Sequence, residues 1–70
     1  MKLTKLERSN KAHYDLMYKA TKIMYNPSSS VSEVKLADKK YGYHLEVYNR
    51  QKSLKRVLSK SQRRKIWSRS

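Results

Sequence analysis

The chain has no cysteine, no phenylalanine, one glycine and one proline in 70 residues. Without cysteine there is no disulfide to staple a small fold, no thiolate metal site and no thiol nucleophile. That usage suits a reducing, cytoplasmic setting. A single glycine, Gly42, excludes a glycine-rich phosphate loop, and no nucleophile elbow is present. No apolar run approaches the ~18–20 residues that cross a bilayer, and the N-terminus lacks a signal-peptide apolar segment. Acids are scarce: 5 Asp or Glu stand against 18 Lys or Arg, and the last acid is Glu46.

That scarcity is uneven along the chain. Residues 1–46 hold nine basic residues and all five acids, whereas residues 47–70 hold the other nine basic residues and no acid, so +9 of the net +13 lies in the last third. A solvated helix face normally mixes both signs. A one-sign block repels itself unless a polyanion offsets it, and phosphate backbones are the commonest such partner.

Length allows one small domain with a single thin core. Thr4-Lys5-Leu6-Glu7 fits a capping box, and Leu6, His13, Met17, Ala20 and Met24 follow a 3-4 spacing widened by Leu16 and Ile23. A helix is therefore expected over about residues 5–25, ended by Asn26-Pro27, because the residue before proline is pushed out of the α region. Tyr14, Tyr18 and Tyr25 line one flank of its stripe. Residues 31–48 read two ways. As a helix, Ser30 caps with Glu33 as its box partner, Val31, Val34, Ala37 and Tyr41 face inward, and Gly42 ends the element in the left-handed conformation. As strands, Tyr43, Leu45 and Val47 alternate with His44, Glu46 and Tyr48, paired with Val34 and Leu36 in a hairpin turning near Asp38-Lys40. From about Asn49 helix resumes, with Leu54, Val57 and Leu58 as a short apolar patch and Ser59 or Ser61 as a break or cap. The expected fold is a mainly α domain of three to four helices over residues 1–61, with a basic C-terminal extension over 62–70. The alternative is an α+β fold with the hairpin at 31–48 between two helices.

Catalysis has little raw material. His13 and His44 have few carboxylates and no cysteine to join them at metal-ligand spacing. Ser32-Glu33-Val34-Lys35 matches a bare Ser-x-x-Lys without its companion motifs. No enzymatic activity, metal, cofactor or small-molecule substrate is expected. Nucleic-acid binding has better material: Lys and Arg neutralise phosphates and release condensed counterions. Arg50, Lys52, Lys55, Arg56, Lys60, Arg63, Arg64, Lys65 and Arg69 supply the charge. Tyr43, Tyr48 and Trp67 are aromatic rings near basic residues and are candidates to stack bases.

Residues 30–50, with small Ala37, the pair Tyr41-Gly42 and β-branched Val47, resemble a helix-turn-helix of the homeodomain-like or transposase type. The spacing departs from that pattern at Gly42, and Arg50 or Gln51 is polar where a further apolar residue is usual. The resemblance implies that the first helix braces the pair and that His44, Glu46, Asn49 and Arg50 lie near a major groove. Asn49 and Arg50 would then read base edges, while Lys52, Lys55 and Arg56 fix the backbone. On that ground DNA is slightly favoured over RNA. Two rival expectations stand beside it: an RNA-bound, ribosome-associated component, and a small protein that binds an acidic protein surface, steered by charge. A membrane surface is disfavoured, since the basic block has few large apolar residues on one face.

Overall fold

Thr4 and Glu7 start the first helix as the sequence predicts. The Glu7 amide donates to Thr4 Oγ1 at 3.1 Å, and the Thr4 amide donates to Glu7 Oε1 at 3.0 Å, so two amides that the helix leaves unpaired are satisfied. The computed structural model describes residues 2–69, and these form three α-helices: α1 (Lys5–Met24), α2 (Val31–Leu54) and α3 (Lys60–Arg69). No strand occurs among the described residues, so the hairpin alternative is not the fold. No helix among them is long and apolar enough to cross a membrane.

Helix α1 buries His13, Met17 and Ala20, the middle of the expected stripe. Beyond it the Ser28 amide donates to Asn26 Oδ1 at 2.9 Å, which sets the turn into α2. Ser30 and Glu33 then form a second capping box, each bond 3.2 Å long. Its first residue, Val31, is not an inward one: it is 71% exposed.

Helix α2 corrects the sequence reading at its centre. It runs unbroken through Tyr41 and Gly42 for 24 residues, and Gly42 has no positive φ. The expected helix end there, and the turn that the helix-turn-helix resemblance places there, are therefore absent. The physical reason lies in the buried face. Ala37, His44, Val47 and Gln51 recur at steps of seven, three and four, the spacing of one helical stripe. Breaking the helix at Gly42 would turn half of that stripe away from α1, whereas a glycine on an exposed helical position costs only about 1 kcal/mol. A Cβ at Gly42 would meet nothing within 4 Å. Gly42→Ala is therefore expected to stabilise the protein by roughly 0.5–1 kcal/mol in urea unfolding. A loss of stability would instead indicate a turn at this position.

Lys55 ends α2 in the left-handed conformation (φ 56°, ψ 35°). The next few residues reverse the chain, and Leu58 enters the core with Val47 and Ile66 while Tyr43 packs against the three. Ile66 is 1% exposed, so the basic C-terminal segment is docked. A boundary between residues 61 and 62 falls inside α3.

Candidate nucleic-acid interface

The basic helix is held by the core of Val47, Leu58 and Ile66 and by one buried polar side chain. Gln51 is fully buried. Its Nε2 donates to Ser9 Oγ at 3.0 Å and to Asn10 Oδ1 at 2.9 Å on α1, and its Oε1 accepts from the Leu58 amide at 3.0 Å. That amide lies outside any helix and is buried, so it needs an acceptor, and the need fixes which way the Gln51 amide points. Helix α3 then starts on Ser59. The Gln62 amide donates to Ser59 Oγ at 3.3 Å, and the Ser59 amide donates to Gln62 Oε1 at 3.0 Å. Of the two serines considered as a cap, Ser59 is the one that serves.

Held this way, α3 forms a ridge with a hollow on either side. One hollow, about 330 Å³, is lined by Tyr43, Lys60, Arg63, Arg64 and Trp67. The other, about 700 Å³, is lined by Arg50, Gln62, Arg64, Lys65, Ser68 and Arg69. Six of the nine late cations thus converge on one surface. The carboxylate paired with them is Glu46, which meets Arg50 at 2.8 Å and Arg69 at 3.6 Å. These pairs are largely exposed, so water screens them and they contribute little to stability. One carboxylate can offset one charge, and the surface stays strongly positive. Arg63 lies deeper: its Nε is buried and donates to no acceptor.

The structure separates other residues that the sequence grouped. His44 turns toward α1 and lines neither basic hollow: its Nδ1 lies 2.8 Å from Nδ1 of His13. Asn49 is exposed and lines neither hollow, although Arg50 beside it does. Lys52 lies over the Tyr48 ring at 5.3 Å, and Tyr48 meets Tyr14 with ring centroids 6.3 Å apart, on the flank toward α1. Lys55 sits at the helix end, and Arg56 donates to Gln62 at 3.4 Å. Tyr43 and Trp67 do share the smaller hollow, edge to face at 5.3 Å, with Lys39 Nζ 4.5 Å from the Trp67 ring centroid. Sequence reasoning missed Gln51 as an organising residue and Lys39 as a partner of Trp67. The signal for Gln51 was its place on the α2 stripe, where an apolar residue is usual.

The two histidines form a pair between the helices. One Nδ1–H donates to the other ring's bare Nδ1, so the pair cannot be doubly charged while this bond is made. Burial holds His13 below the usual imidazole range, with a smaller contribution from the Arg63 guanidinium. Burial, then His13 and Lys40, pushes His44 down to about 4. Unfolded imidazoles titrate near 6.5. Between about pH 6.5 and 4 the unfolded chain therefore binds more protons than the folded one, and stability falls as the pH drops through that window. We expect a loss of about 2 kcal/mol, discounted for partial exposure, in urea unfolding at pH 7, 6, 5 and 4. The His13→Leu/His44→Leu variant should lose markedly less over the same range. Among the described residues, His, Asp and Glu side chains form no group of three or more that could hold a metal ion.

Set against protein-family models, curated proteins and solved structures, the chain matches none.

Proposed function

We propose that this protein binds nucleic acid without catalysing a reaction, capturing the phosphate backbone on the surface formed by α3 and the adjoining end of α2. The observation that carries this reading is the convergence of Arg50, Lys60, Arg63, Arg64, Lys65 and Arg69 around one docked helix, with Glu46 as their paired carboxylate. Phosphates along a strand can engage Lys60 and Arg64 on one side of the ridge and Lys65, Arg69 and Arg50 on the other. Arginine suits this role, because its planar fork meets two phosphate oxygens at once. Binding releases condensed counterions and carries no sequence information. The preference for DNA rested on a turn within α2, and α2 runs unbroken from Val31 to Leu54. The chemistry of the ridge serves DNA and RNA alike.

The test is a titration against duplex DNA, single-stranded DNA and structured RNA over a salt series. Binding is expected to weaken with a log–log salt slope of about −3 to −5, as for four to six phosphate contacts. The ranking of the three ligands then assigns the nucleic acid. Weak, salt-independent binding to all three would remove the reading.

A further inference from the structure

The third helix packs against α2 around Tyr43 and Val47, with Trp67 reaching back to Lys39. Farther along the α1–α2 pair, Leu16 and Ile23 of α1 and Leu36 of α2 remain 42%, 41% and 49% exposed. With Ala20 and Ala37 between them, they line an open hollow of about 290 Å³. Its lining is mostly apolar, unlike the two basic hollows beside α3. We infer that this groove binds an acidic amphipathic helix of a partner protein.

Charge and shape both point to that occupant. Leu16 and Ile23 are two helical turns apart, about 10 Å, which matches the reach of anchors at i, i+4 and i+7 on a docked helix. The rim carries Lys19 from α1 and Lys40 from α2, and its one acid is Glu33. The Glu33 carboxylate accepts from the Ser30 amide at 3.2 Å, at the positive end of α2, so its charge is locally offset. Asp15 and Asp38 are exposed and line no part of the hollow. Among the described residues neither Lys19 nor Lys40 forms an ion pair with a carboxylate. The groove therefore offers a mostly apolar floor, with His44 in its lining paired to His13, beneath two unopposed cations. A nucleic-acid strand would leave that floor unused. A second copy of the chain would bring another +13 charge against this one. An acidic helix with an apolar stripe satisfies the floor and the rim together.

The probe is a synthetic 14-residue peptide with Leu at i, i+4 and i+7 and Glu at most other positions. It would be titrated into the ¹⁵N-labelled full chain and followed by NMR. Binding is expected, with the largest shift changes around Leu16, Ile23 and Leu36. Exchanging the peptide's Leu residues for Ser at unchanged charge should weaken it about tenfold or more, as for loss of buried anchors. Leu36→Ser in the protein should do the same, and a Lys-for-Glu peptide should not bind. The triple variant Arg64→Gln/Lys65→Gln/Arg69→Gln should change peptide affinity by less than about threefold, since screening confines rim charges to short range. That separates this inference from the nucleic-acid reading, which fails or survives on that same variant. No binding, equal binding of the Ser peptide, or shifts confined to Lys60–Arg69 would overturn the inference. So would concentration-dependent dimerisation of the free chain abolished by Leu36→Ser, which would make a second copy the occupant.

Discussion

The Arg64→Gln/Lys65→Gln/Arg69→Gln variant is expected to bind nucleic acid roughly 10²–10³-fold more weakly than the parent at about 0.1 M salt, whatever the sequence offered. Each phosphate contact contributes about 0.9 to the salt slope on duplex DNA, which at that salt is nearly a decade in affinity. Three lost contacts should also make the slope shallower by about 2–3. All three side chains are exposed, and Arg69 loses only a long, solvent-screened pair with Glu46 and a 3.4 Å exposed bond to the Lys65 carbonyl, so the fold should persist. The informative control removes the same charge elsewhere. Lys5→Gln/Lys11→Gln/Lys22→Gln neutralises three exposed lysines of α1 and should weaken binding only a few-fold, through the general field. Equal losses in the two variants would mean that net charge, and not the ridge on α3, captures the ligand.

Gln51→Ala should be the most destabilising single change, at about 3–4 kcal/mol in urea unfolding. It opens a cavity at a fully buried site and strands three partners: Ser9 Oγ, Asn10 Oδ1 and the Leu58 amide. A 70-residue chain has a total stability of about 4–10 kcal/mol, so the variant would lose a large share of it. Gln51→Leu separates volume from hydrogen bonding. It fills the space but leaves the Leu58 amide without an acceptor, and a loss of about 2 kcal/mol is expected. If Gln51→Leu is as stable as the parent, the buried amide is not what secures α3. Because α3 carries the cations, Gln51 positions the proposed interface without touching its ligand.

Much of the fold is legible where the determinants are local. The two capping boxes, Thr4 with Glu7 and Ser30 with Glu33, show in sequence because each needs only residues three apart. The stripe of His13, Met17 and Ala20 shows for the same reason. Gly42 misleads because glycine is the usual helix terminator and nothing nearby contradicts it. The continuous helix depends on Ala37, Val47 and Gln51 burying against other elements, a non-local contribution. The aromatic and β-branched alternation from Tyr43 to Tyr48 suggests a strand for a similar reason: propensity is a weak prior that burial overrides. His44 and Gln51 were hard to place inside because they are polar. Each is accommodated only by a partner far along the chain, His13 in one case, Ser9 and Asn10 in the other.

Sequence by itself therefore determined the charge of this protein, its mainly helical character and the start of its first helix, and offered the start of the second as one of two readings. Those follow from composition, and from side chains acting on backbone one turn away. Tertiary structure decided which cations share a surface. Ile66 and Gln51 turn the chain back after Lys55 and dock α3, which gathers Arg50 with Lys60, Arg63, Arg64, Lys65 and Arg69 and leaves Asn49, Lys52 and His44 elsewhere. Charge is additive along a chain, but a binding face depends on how helices are rotated against one another, and contacts between distant residues fix that rotation.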